Sequence, residues 1–320
     1  NNVIFGGQRT PEETVRLISE YELDLPLENI CVALFDVTPS SDRPPVDRYY
    51  GHFRTIEAIR ALVMPRCRGF YTFTGNHLML IAQAESGEAP PLEALLQETA
   101  VFLANEEQFR CTIGLSRSYP HLSDASNAFE EAADALKYKI MYGEGQVISA
   151  EQLHLVRKSA YRYPAELEAQ LFEYILLGDR NKASLIVEKI VLAITAPENK
   201  LSVLQVHQML FVLFGNIIKQ LGGMGVKAEE ILSDDTFFYE SLLYVSGPEE
   251  TASLFQRLID KIGERVSAEN GPKSSDHMER ICRFLEERYA EDVSLDSVAG
   301  HVGLNPAYVS RLIRRETGVT

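Results

Sequence analysis

Between residues 28 and 149 the chain alternates between unbroken apolar runs and stretches whose apolar residues recur every three or four positions. Residues 30–35 (Ile-Cys-Val-Ala-Leu-Phe) are apolar throughout, the pattern of a strand buried on both faces. A helical stretch follows around residues 53–64. Residues 69–73 and 78–82 read as strands flanking Thr74-Gly75-Asn76-His77, a hairpin signal. Residues 92–104 predict a helix and 111–115 a strand. Residues 125–141 predict one helix, with Phe129, Ala132, Ala133, Leu136 and Ile140 on its apolar side. Residues 146–148 give a last strand.

The order is βαββαβ with an added αβ, a ferredoxin-like arrangement. Beyond it, residues 164–266 carry no strand pattern. Leu171, Ile175, Leu185, Ile186, Ile190, Val191 and Ile194 fall on helical stripes, as do Val206, Met209, Leu210, Leu213 and Ile217. Residues 268–275 are polar and turn-rich and read as a linker. Met278, Ile281, Cys282, Leu285 and Tyr289 then form an apolar stripe on one helix. Ser294 stands as N-cap of a short second helix carrying Leu295, Val298, Ala299 and Val302. After Gly303-Leu304, Asn305 caps a third helix with Pro306 at its first position. Tyr308, Val309, Leu312 and Ile313 are its inner side, and Gly318 stops it.

The expected architecture is therefore α+β and multidomain. Residues 1–27 form a connecting helix or linker, with Val15, Leu17, Ile18 and Tyr21 apolar. Residues 28–150 form the α/β domain, 151–270 a helical connector, and 276–320 a further helical segment.

Composition narrows the function classes. The longest apolar run, residues 209–214, stops at Gly215-Asn216, far short of the ~20 residues a bilayer span needs. No charged start with a long apolar core opens the chain, so no secretory signal is read and a cytoplasmic location is expected. Cys31, Cys67, Cys111 and Cys282 lie far apart, and the seven histidines make no ligand pairs, so neither a metal site nor a cofactor is expected. The net charge of −15 opposes diffuse attraction to nucleic acid, but Arg311, Arg314 and Arg315 cluster on the last helix. The chain begins Asn1-Asn2, without an initiator Met, and is expected to be a piece of a longer protein.

Residues 294–318 resemble the first helix-turn-helix of the AraC family. The resemblance rests on the Leu-x-x-Val-Ala helix, the Gly303 turn, the Tyr308-x-Ser310-Arg311-Leu312 core and the closing Arg315-Glu316-Thr317-Gly318. It implies double-stranded DNA as partner, with Ala307, Ser310 and Arg311 facing outward on the reading helix and Arg314 and Arg315 nearer the phosphate backbone. An arginine in bidentate contact with guanine provides about 1–3 kcal/mol of discrimination. The family carries two such motifs, and the second is absent here, so weak DNA binding or none is expected of this chain by itself.

The order of elements in 28–149 resembles a GGDEF domain, the fold of cyclic-di-GMP synthases. Those enzymes hold metal ions with an acidic hairpin and a strand-end Asp. Here Gly75, Asn76 and His77 stand at the hairpin, with Asn76 and His77 in the carboxylate places. Asp36 matches the other ligand position. The resemblance thus implies a degenerate domain without cyclase activity. Such a domain followed by helices and an AraC-type motif is similar to YesN-type regulators. These bear a receiver domain or a membrane-anchored sensor upstream, the latter allowing a membrane-anchored full-length protein.

The expected function is a sequence-specific transcriptional regulator and not an enzyme. Its upstream domains transmit a signal or mediate homodimerisation, and a sensor kinase or a fused sensor domain would act upstream. The alternative is a cyclic-dinucleotide enzyme or small-effector receptor with an appended DNA-binding segment.

Overall fold

Strand β1 (Glu28–Pro39) is the apolar run with its flanks, and it is central because both of its faces are covered. The computed structural model describes residues 28–39, 47–74, 77–83, 91–107, 109–153, 162–223, 238–269, 272–289, 292–304 and 306–317. The connecting helix expected over 10–25, together with Gly75, Asn76, Asn305 and Gly318, lies outside the described residues. The chain forms two units, Asn1–Ser159 and Ala160–Thr320.

In the first unit, β2 (Gly69–Thr74), β3 (His77–Gln83), β4 (Phe109–Leu115), β5 (Tyr119–His121) and β6 (Val147–Ser149) join β1 in one sheet ordered β2-β3-β1-β4-β6. β1 runs antiparallel to β3 and β4, whereas β6 adds parallel to β4. The first four strands thus take the ferredoxin-like order. Strand β5 pairs with the start of β1, Glu28 opposite His121 and Ile30 opposite Tyr119.

Period-two alternation divides β1 between two cores. Cys31, Ala33, Phe35 and Val37 pack with α1 (Asp47–Ala58), a π-helical turn at Ile59–Val63 and α2 (Leu92–Glu107). Ile30, Val32 and Leu34 pack with Met79, Ile81 and α3 (Ala125–Lys137). Burying each large side chain contributes about 1.5–3 kcal/mol relative to exposure. Helix α3 meets the sheet through alanines (Ala125, Ala128, Ala132), and Gly114 of β4 lets it approach closely. A Cβ at Gly114 would lie 2.2 Å from the Ala132 carbonyl oxygen.

The helix expected over 125–141 is broken. It ends at Lys137, turns at Tyr138, and resumes as the short α4 (Lys139–Tyr142). Tyr138 holds ψ near −2°, and its N–H donates to both Ala135 and Leu136 carbonyls, which tightens the last turn. Helix α5 (Ala150–Leu153) follows β6.

The second unit is helical in every described element: α6 (Ala165–Leu177), α7 (Arg180–Thr195), α8 (Val203–Gly223), α9 (Phe238–Tyr244), α10 (Pro248–Glu269), α11 (Pro272–Glu287), α12 (Leu295–Val302) and α13 (Pro306–Thr317), with a short 3₁₀ turn at Pro197–Asn199. Gly178 closes α6 in the left-handed conformation at φ 69°. The Asp179 carboxylate caps α7 by accepting from the Lys182 N–H at 3.2 Å. Ile186, Val187, Ile190, Val191 and Ile194 of α7 are buried, along with Val206, Leu210, Leu213 and Ile217 of α8. Leu185 departs from its expected inward stripe and is 51% exposed. The stretch expected as a linker, 268–275, is instead mostly the end of α10 and the start of α11. Pro272 opens α11, where its missing N–H costs little. No helix among the described residues is long and apolar enough to cross a membrane.

Candidate functional site

Two places carry candidate chemistry, and they lie in different units. In the first unit, Thr74 of β2 faces His77 of β3, so the hairpin closes through two residues. His77 is half-buried at the start of β3.

Asp36 follows Leu34 by two on β1 and therefore points to the α3 side of the sheet, opposite Thr112 in the register. Its carboxylate Oδ2 accepts from Lys139 Nζ at 2.7 Å, and the two side chains are only 22% and 23% exposed. The break at Tyr138 starts α4 with this lysine above the strand. Nearby, the turn after α4 is bound to β4: the Gly145 N–H donates to Thr112 Oγ1 at 3.0 Å, and Arg110 pairs with Glu144 at 3.4 Å. Gly143 and Gly145 both hold positive φ there. Cys111, next to Thr112, is wholly buried. Burial, and secondarily the Asp36 charge, pushes its thiol far above the ordinary range.

This is the geometry of a half-buried charge pair closing a turn onto a sheet. The carboxylate's charge is already matched by an ammonium. Among the described residues no cluster of three or more His, Cys, Asp or Glu side chains is arranged to hold a metal ion. Lys139 carries no motif signal of its own, because its partner Asp36 lies 103 residues away in the chain.

In the second unit, α11, α12 and α13 enclose a small core of their own. Ile281, Phe284, Val298, Ala299, Val302, Leu304, Val309 and Leu312 are buried in it, with Met278, Leu285, Val293 and Ile313 partly buried around them. Ser294 caps α12 as expected, its hydroxyl accepting from the Ser297 N–H at 3.2 Å. Gly303 ends α12 at φ 72°, and the following Leu304 N–H donates to the Ala299 carbonyl at 3.0 Å, which turns the chain into α13.

Two details differ from the expected stripe of α11. Phe284, absent from that stripe, is buried, whereas Tyr289 lies past the helix end and is 87% exposed. The Phe284 ring stacks on His301 at 4.4 Å between centroids, and the Arg288 guanidinium lies 5.2 Å from the Phe284 centroid. This contact joins α11 to α12. Spacing alone could have identified Phe284, since it lies three residues after Ile281 on the same helical face.

Helix α13 turns Val309 and Leu312 inward and leaves Ser310 exposed. Ala307, Arg311, Arg314 and Arg315 all belong to this helix, and their side chains lie outside the described residues. The helix holds three arginines and one glutamate, a local positive charge within an acidic chain.

The chain is similar to one known family and to two known proteins. Residues 6–138 match the family model of the GGDEF-like domain. The match runs from β1 through β5 and α3, leaves out β6, and begins ahead of Glu28. The chain is also 24% identical over 241 residues to the uncharacterized HTH-type transcriptional regulator YtdP of Bacillus subtilis (strain 168), covering 74% of this chain and 31% of that protein. A second relative, the uncharacterized HTH-type transcriptional regulator YbfI of the same strain, is 30% identical over 67 residues, covering 21% of this chain and 24% of that protein. The chain therefore spans about a third or less of the length of either curated relative. It carries a GGDEF-like domain and is distantly similar to bacterial HTH-type transcriptional regulators.

Proposed function

We propose that this chain is part of a sequence-specific DNA-binding transcriptional regulator of the AraC family, YesN-type, and that α12 and α13 are its helix-turn-helix. The observation carrying this reading is the self-contained core of α11–α13. A left-handed glycine joins two short helices, and the second buries Val309 and Leu312 while keeping Ser310 exposed. In this reading α13 enters the major groove, Ala307, Ser310 and Arg311 meet base edges, and Arg314 and Arg315 meet phosphates. The GGDEF-like unit transmits a signal without catalysis, and the protein works in the cytoplasm as a homodimer, with a sensor kinase or fused sensor upstream. The Asp36–Lys139 pair favours the non-catalytic reading, since a carboxylate neutralised at 2.7 Å is poorly placed to hold a metal ion.

The test is selection of bound sites from randomised DNA duplexes by the natural-length protein, repeated at several stated salt concentrations. Arg311→Ala should relax preference at one base position by about tenfold or more. Arg314→Ala and Arg315→Ala should weaken binding evenly across sequences and lower its salt dependence. Equal loss on all sequences from Arg311→Ala would refute the assignment. Cyclic dinucleotide formed on incubation with GTP and Mg²⁺ would establish the competing enzymatic reading.

A further inference from the structure

Helix α7 is packed through Ala183, Ile186, Val187, Ile190, Val191 and Ile194, yet it leaves Leu185 and Leu192 about half exposed, at 51% and 48%. The two leucines are seven residues apart, so they lie two turns apart on one face, about 10 Å along the axis. Glu188 and Lys189 sit between them on the same side, Lys189 exposed and Glu188 half-buried. Among the described residues neither charge has an ion-pair partner within the chain. Ser184 and Ala193, both small and partly covered, flank the leucines.

The order Ser184, Leu185, Glu188, Lys189, Leu192, Ala193 reads as its own complement when reversed. Two copies of α7 laid antiparallel about a two-fold axis between 188 and 189 bring Leu185 opposite the second copy's Leu192, and small residue opposite small residue. Each copy's Glu188 then faces the other's Lys189. A two-fold contact requires this property, because one patch must match itself. Scattered exposed leucines are ordinary on a protein surface. A mirrored sequence of apolar, small and oppositely charged positions is not.

We infer that the exposed face of α7 is a homodimerisation surface that docks on α7 of a second copy of this chain, antiparallel and centred between Glu188 and Lys189. The inference goes beyond the functional reading above, which leaves the dimer surface unassigned, and it stands whether or not the protein binds DNA. One helix face buries less than the roughly 1,600 Å² of a standard stable interface, so the association is weak and strengthens when copies are held together.

The test is sedimentation of the full chain over a wide concentration range, in the absence of DNA. The unaltered chain should dimerise reversibly. Glu188→Lys places two lysines opposite two lysines, and Lys189→Glu places two glutamates opposite two glutamates. Either should weaken self-association by about tenfold or more, because two ion pairs are replaced by repulsion between like charges. Mixing the two variants should restore association as a heterodimer, and Glu188→Lys with Lys189→Glu in one chain should restore the homodimer. Circular dichroism checks that each variant is folded, and these surface positions leave the buried side of α7 untouched. A chain that stays monomeric at every concentration overturns the inference, as does one whose dimerisation ignores the single swaps, or variants that fail to associate when mixed. An unrelated partner on this face would appear as the first of these outcomes.

Discussion

Among the described glycines of the first unit, Gly114 has least room for a side chain. A Cβ there would stand 2.2 Å from the Ala132 carbonyl oxygen, 2.8 Å from Leu136 Cγ and 3.0 Å from the Leu136 N. Two of these atoms are backbone of α3, so no side-chain rotation relieves the clash. Gly114→Ala must lift α3 until that oxygen stands at least 3.4 Å away, an ordinary contact. Lifting it opens gaps beneath Ala128, Ala132 and Leu136, which now seal Ile30, Val32 and Leu34. Overpacking of this kind costs about 1–3 kcal/mol, and a clash against backbone belongs near the top of that range. A loss of about 2–3 kcal/mol should accelerate globally limited amide exchange in β1 and β4 by about 30- to 150-fold. Hydrogen-exchange mass spectrometry reads this strand by strand. Gly215→Ala in α8 is the matched control, since a Cβ there meets nothing within 4 Å. It should stabilise its helix by about 0.5–1 kcal/mol. Unchanged exchange in β1 and β4 for Gly114→Ala would refute the close-packing argument, as would a like response from both glycines.

Lys139→Met keeps the stem but leaves the largely covered Asp36 carboxylate unpaired. Urea unfolding should register a loss of about 1–2 kcal/mol, and adding Asp36→Asn should recover part of it. Burial first, then the nearby Cys67 thiol, pushes the Cys31 thiol up from 9.0 to about 12. The folded state therefore favours the neutral thiol. The resulting stability is fully present below about pH 9 and is lost as pH rises toward 12, as the unfolded chain ionises first. Denaturation midpoints between pH 8 and 11 should fall less steeply in Cys31→Ala than in the unaltered chain. A parallel decline in both would show that this thiol is not the cause.

Legibility in the sequence followed the range of the interactions involved. The run at 30–35 announced β1 because a strand covered on both faces has no polar alternation to disguise it. The hairpin between β2 and β3 and the cap at Ser294 were equally plain, since each is set by residues within a few positions. Strand β5 has no such local signal. Tyr-Pro-His has neither apolar character nor length, and it becomes a strand only because β1 offers Glu28 and Ile30 as partners. The break at Tyr138 has no sequence signal, because the apolar spacing of Ala132, Leu136 and Ile140 continues through it. At the candidate DNA-reading helix, Val309 and Leu312 were recognisable as the inner side from their spacing. Periodicity cannot tell an inward leucine from an outward one at the margin of a stripe, and Leu185, on the stripe by spacing, faces outward.

The central position of β1 has a kinetic consequence. Its partners in β4 lie about 70 to 80 residues downstream, so the sheet can close only after a long loop has been ordered. The core of α11–α13, by contrast, joins residues from Met278 to Ile313 through short connections. Low sequence separation between contacts speeds folding, and high separation slows it. The C-terminal helices should therefore fold before the sheet does.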